Sequence, residues 1–151
     1  MKNLDQIQLV MKEVISSDKK RLLEFYAGSE NYGKDLARHF KNLEWVSSNI
    51  AKGEFPKMVC DLVFTANTFH QMDWKQCKSW MKTVGTKLRE GSQVFIYGPF
   101  ATTGIRSIDD VNRAMIKNGF ALYKDFEMPE DNHLLVYTRL IFMKDIIAAK
   151  K

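Results

Sequence analysis

Two short segments hold the side chains best suited to chemistry. Asn67-Thr68-Phe69-His70 follows an almost continuous apolar run over residues 58–66, interrupted by Asp61, and Tyr97-Gly98-Pro99-Phe100 closes a second strand-like stretch over residues 93–97. An imidazole titrates near neutral pH, so His70 is the first candidate for moving a proton. Tyr97 and Pro99 can shape a cavity, and Asn67 can bond a polar ligand group. No Ser-His-Asp or Cys-His constellation is evident, so hydrolase chemistry has little support. Cys60 and Cys77 have no C-x-x-C partner, and His39, His70 and His133 are widely separated. That pattern predicts reduced structural thiols and no metal site.

The elements that must position these residues follow from periodicity. Ile7, Met11, Val14 and Ile15 recur at helical intervals and predict an amphipathic helix over residues 4–16. Residues 21–27 read as a strand, 28–31 as a turn, Leu36, Ala37 and Phe40 as a short helix, and 43–48 as a second strand. Gly53 and Pro56 break a linker over 51–57. The run 58–66 suits a parallel strand covered on both faces. Asp73 with Gln76 predicts a capping box for a helix bearing Cys77, Met81, Val84 and Leu88, which Gly91 ends. Ser107 caps another helix, with Asp109 and Asp110 in its first turn, and Gly119 stops it. Strands over 121–128 and 133–142 flank Pro129-Glu130-Asp131-Asn132, a connection too short for a crossover, so they pair antiparallel. The order implies an α/β fold: a three-layer, mainly parallel, doubly wound sheet ending in an antiparallel strand pair. Polar and aromatic residues at successive strand ends then fall where such sheets bind small molecules.

The chain has 151 residues, enough for one core and one domain over 1–151, with residues 1–18 as an N-terminal helix and 140–151 as an extension. No apolar run is long enough to span a bilayer, and the N-terminus lacks a signal-peptide pattern, so a cytoplasmic protein with no membrane partner is expected. The net charge is +5, but the lysines are dispersed and no RNA-binding motif appears. The charge reads mainly as a solvated surface, and a nucleic-acid partner is disfavoured.

The chain resembles the class I S-adenosylmethionine-dependent methyltransferases. More narrowly, it is similar to an uncharacterised methyltransferase-like family of unknown function with an N-M-x-H-x-x-P-W segment and a Y-G-P-F strand end. The matching residues are Asn67-Thr68-Phe69-His70 with Trp74, then Tyr97-Gly98-Pro99-Phe100, Gly104-Ile105-Arg106, Asp109-Asp110-Val111, and Met128-Pro129 with Asn132. Leu88-Arg89-Glu90-Gly91 resembles the usual entry into the superfamily's fifth strand. The resemblance covers roughly residues 20 to 140 and implies a Rossmann-like sheet of seven strands, the last two antiparallel. It implies S-adenosyl-L-methionine as cofactor, lying across the tips of the early strands and held by Glu24, Gly28, Asn49 and Asn67. His70 and Tyr97 take the catalytic positions, and Tyr26, Trp74, Pro99, Arg106 and Asn132 the substrate-binding ones.

Three departures set the expectations apart from that pattern. The first loop reads Phe25-Tyr26-Ala27-Gly28-Ser29-Glu30, with one glycine left. Asn49 stands where a ribose-binding acid belongs, and its side chain offers a single carbonyl acceptor. The linker after it is too short for the third strand and its helix, so that strand is expected to be missing. The segment after Phe100 is abbreviated as well. Two functions compete: methyl transfer to a small molecule, or a non-catalytic binding or oligomerisation module on the same scaffold. Loss of the third strand exposes a sheet edge, and exposed edges invite pairing, so a homodimer or larger homo-oligomer is expected. Bland roles compete residue by residue: core packing for Trp74 and Trp80, bracing of Arg106 by Asp109 or Asp110, and turn chemistry for Asn132.

Overall fold

A computed structural model describes residues 4–26, 32–49, 55–56, 60–101 and 107–140. Helix α1 (Leu4–Val14) precedes β1 (Arg21–Tyr26); α2 (Gly33–Leu36) runs into a 3-10 turn (Ala37–His39) and β2 (Glu44–Asn49). Then come β3 (Leu62–Ala66), α3 (Trp74–Lys87), β4 (Gln93–Gly98), α4 (Ile108–Lys117), β5 (Phe120–Met128) and β6 (Asn132–Arg139). The strands form one sheet in the order β2-β1-β3-β4-β6-β5. The first four are parallel, β6 runs antiparallel to both β4 and β5, and the predicted closing hairpin is present. Among the described residues there are six strands, one fewer than the resemblance implies, and β2 forms one edge.

Alternation along the strands divides the core. Leu23, Phe25, Val63, Val94, Ile96, Leu135 and Tyr137 face α3 and α4. Leu22, Phe64, Phe95, Tyr97 and Val136 face the other way, toward Ile7 and Met11 of α1 and Leu36 of α2. That is why the run before Asn67 is continuously apolar: β3 is buried on both faces at every position. The strand begins at Leu62, later than predicted, because Asp61 has another task. Its carboxylate accepts from the main-chain nitrogens of Lys20 (3.1 Å) and Arg21 (3.0 Å), tying the entry of β1 to that of β3.

The predicted caps are formed. Asp73 Oδ1 accepts from Gln76 N at 2.7 Å and Gln76 Oε1 accepts from Asp73 N at 3.0 Å, closing the box. Ser107 Oγ accepts from Asp110 N at 3.2 Å. Asp73→Ala should lower the free energy of unfolding by about 1 kcal/mol. Urea denaturation is the check, and an unchanged midpoint would remove the cap from any account of how α3 starts. Gly91 and Gly119 sit at φ +84° and +93°, the left-handed conformations that end α3's connection and α4. Behind them, buried Arg139 donates to Gly85 O (3.0 Å) and Gly119 O (3.3 Å) and so ties the ends of both helices to β6. Both cysteines are buried thiols, and burial, reinforced by Asp61, pushes the Cys60 thiol up to about 11, which keeps it protonated and unreactive. No group of three metal-ligating side chains, and no helix long and apolar enough to cross a membrane, occurs among the described residues.

Candidate functional site

β1 has β2 on one side and β3 on the other, so the chain reverses its direction of winding at the β1–β3 boundary. Doubly wound sheets bind ligands at the carboxyl ends of strands beside such a point. Tyr26 and Asn49 lie side by side there, paired in register at the tips of β1 and β2. Asn67 follows β3 directly, in the left-handed conformation (φ 58°) that Asn tolerates better than most residues. Its backbone N–H donates to Tyr97 O at 2.9 Å, which extends the β3–β4 ladder and joins the two corners named from sequence.

The turn after Asn67 is locked from several sides. Thr65 Oγ1 donates to Phe25 O at 2.9 Å across the β1–β3 boundary and lies within 2.6 Å of Thr68 Oγ1. Gln71 Nε2 reaches back to Asn67 O at 2.8 Å, and Cys77 Sγ of α3 donates to Phe69 O at 3.4 Å. The result holds His70 at the surface with Phe69 turned inward. Phe69 meets Phe100 edge-on, centroids 6.3 Å apart, and meets Trp80 the same way at 5.6 Å.

These pieces line a half-open cavity of about 170 Å³, with Phe69 and His70 from one corner and Tyr97, Gly98, Pro99, Phe100 and Ala101 from the other. The predicted residues His70, Tyr97 and Pro99 are therefore brought together, with Asn67 bonded beside them. Asn132 opens β6 at the same end of the sheet, but its amide donates within its own turn, to Pro129 O (3.0 Å) and Glu130 O (3.4 Å). Trp74, the first residue of α3, packs against the α3–α4 core. Gly28 and Arg106 lie outside the described residues.

Glu24 is the most constrained of the predicted set. It is fully buried in the middle of β1. Its Oε2 accepts from the backbone nitrogens of Tyr32 (2.9 Å) and Gly33 (3.0 Å). Its Oε1 accepts from Ser47 Oγ (2.8 Å) and Trp45 Nε1 (3.4 Å). Burial raises its pKa above the ordinary 4.5, against the opposing pull of those four donors. The carboxylate thus fastens the start of α2 to β1 and β2. Tyr32, nearly buried, then reaches over the β1–β3 boundary, and its hydroxyl accepts from Asn67 Nδ2. Periodicity and motif alone do not single out Tyr32 or Gly33. The available signal was Glu24 itself: an acid inside an apolar strand needs donors, and the next chain segment is the nearest source.

A family model described as "Protein of unknown function (DUF938)" matches residues 50–105, the stretch that contains both corners. Solved structures with the same fold include several methyltransferases. An O-methyltransferase family 2 protein from Planctomyces limnophilus DSM 3776, in complex with apigenin, superposes with a TM-score of 0.66 at 14% identity, over 91% of this chain and 56% of that one. PigF with S-adenosylhomocysteine gives 0.66 at 10% identity, over 89% of this chain and 61% of that one. The N-methyltransferase NodS from Bradyrhizobium japonicum WM9 gives 0.67 at 12% identity, over 91% and 96%. The chain spans little more than half the length of the first two. At these identities the likeness establishes a methyltransferase-like Rossmann fold.

Proposed function

We propose that the protein is a divergent S-adenosylmethionine-dependent methyltransferase that acts on a small molecule. One observation carries the reading: two separate strand-end corners, with His70, Tyr97 and Pro99 among them, wall a single cavity beside the point where the sheet reverses. Its volume suits one ring, since an apolar cavity of about 150 Å³ accepts benzene. It is too small for a nucleoside-based cofactor, because pockets that enclose ligands of that size run to about 300–1,000 Å³. The cavity is therefore the acceptor's place, and the neighbouring tips of β1, β2 and β3 are the cofactor's.

The side chains at those tips suit such a cofactor chemically. Asn49 and Asn67 offer uncharged amides for ribose hydroxyls, and Tyr26 offers an aromatic face for a sulfonium. Once bound, the cofactor would supply a methyl group activated by that sulfonium. The chain's own contribution is orientation, which alone can supply many kcal/mol of rate enhancement. Phe69 and Phe100 hold the acceptor's plane, and His70, at the solvent boundary, takes the acceptor's proton where it has one to lose.

A non-catalytic scaffold is the second reading, and a specific observation favours it. Glu24 is spent on four protein donors, and Tyr32 with Asn67 bridges the reversal point from within the chain. On that reading the open edge of β2 serves pairing with a second copy. Titration with S-adenosylmethionine and with its demethylated product, followed by calorimetry or by tryptophan emission, separates the two. Saturable micromolar binding weakened by Gly28→Val is the expected result. No heat and no signal at millimolar ligand would leave the scaffold reading standing.

A further inference from the structure

We propose a second ligand site, for a small phosphate monoester, at the opposite pole of the sheet. A cavity of about 240 Å³ opens there, where α1 ends and where β1 and β2 begin. Lys12, Lys19, Lys41 and His39 line it, and no carboxylate does. Its apolar side is Ile15, Phe40 and Leu43, with Phe40 against Trp45, centroids 6.0 Å apart.

The charges are what call for a ligand. Lys19 Nζ donates to Gly91 O at 2.8 Å, but the side chains of Lys12, Lys41 and His39 make no hydrogen bond or ion pair with any described residue. Among the nearby acids, Asp18 sits at the rim and offsets Lys19, which leaves Lys12 and Lys41 as the cations not balanced by an acid. Glu44 is held by Arg21 Nε at 2.7 Å, and exposed Asp18 accepts from Ser16 Oγ at 2.5 Å. Glu13 follows Lys12 on α1 and so points about 100° away around the helix. Two helical segments, α1 and the 3-10 turn, end beside the cavity, and one cation near each would complement its carbonyl end. Three lysines exceed that need, and Lys41 lies beyond both ends. A dianion removes the mutual repulsion, and the hydroxyl of Ser17 and the amide of Asn42, both in the lining, add neutral donors. The apolar wall, in a volume larger than the about 150 Å³ that accepts benzene, leaves room for a ring attached to the phosphate.

Calorimetric titration of the whole chain with phenyl phosphate and with inorganic phosphate, at ionic strength fixed with sodium chloride, tests the site. Saturable binding of phenyl phosphate is expected, weakened about ten-fold in the Lys12→Ala, Lys41→Ala double variant, because two exposed ion pairs to the phosphate are removed together. Both lysines are exposed, so the variant should keep the parent's urea midpoint, which is measured alongside. Tighter binding of phenyl phosphate than of inorganic phosphate supports the ester. Equal binding, or tighter binding of inorganic phosphate, overturns the ester and with it the role given to the apolar wall. No saturable heat with either anion, or a double variant that binds as the parent does, overturns the proposal.

Discussion

Glu24→Ala should lower the free energy of unfolding by about 3 kcal/mol, among the largest effects of any single polar substitution in this chain. The substitution takes the carboxylate away from two buried backbone N–H groups, of Tyr32 and Gly33, and each buried donor left unpaired costs about 1–3 kcal/mol. Ser47 and Trp45 lose their acceptor too, but both reach partial exposure and can turn to water. Against this stands the relief of no longer burying a carboxylate, which keeps the net below the sum of its parts. Glu24→Gln should cost less, because its carbonyl can serve the backbone donors while its amide faces Ser47 Oγ, which can accept.

The same residue fixes the sign of a pH effect. Its pKa is raised in the folded state, chiefly by burial. Between the ordinary glutamate value of 4.5 and the raised one, the folded chain holds more protons than the unfolded chain. Glu24's contribution is therefore fully present below pH 4.5 and declines as pH rises through the folded-state value. Urea unfolding of the parent and of Glu24→Gln across this range should show the parent losing stability relative to the variant as pH increases. Parallel curves, or a parent that gains on the variant, would mean that the four donors outweigh desolvation.

The second large effect concerns the neighbouring glycine. Gly33 opens α2, is buried, and does not have the positive φ that would require glycine. On backbone grounds alone alanine should improve a helical position by up to about 1 kcal/mol. Space decides otherwise. A methyl group here would collide with Glu24 Oε1 and Trp45 Nε1 and lie 2.9 Å from Ser47 Oγ, the same atoms that form the Glu24 cluster. Gly33→Ala should therefore destabilise by about 2–3 kcal/mol, the range of overpacked cores. The two changes should also couple. With Glu24 cut back to alanine the worst collision is gone, so the double variant should lose less stability than the two singles summed. A stabilising Gly33→Ala, or strict additivity, would show that the cluster yields easily and does not fix the entry to α2.

Much of this protein can be read without coordinates. Apolar runs, two N-cap signatures and two glycine stops placed nearly every strand and helix, because burial periodicity and capping are local properties of the chain. The short Pro129-to-Asn132 connection forced an antiparallel ending, and the Asn67–His70 and Tyr97–Phe100 segments could be assigned to strand ends. What they do there could not. That the two corners share one cavity depends on β3 and β4 being adjacent in the sheet. Glu24 illustrates the difference most clearly. Sequence marks an acid inside an apolar strand, but only packing decides whether it faces a ligand or the protein's own donors, since those donors come from residues 32, 33, 45 and 47 and converge through the α2 turn and the β1–β2 pairing. The basic cavity has the same origin: lysines dispersed along the chain become one patch because the sheet brings the end of α1 alongside the entry to β2.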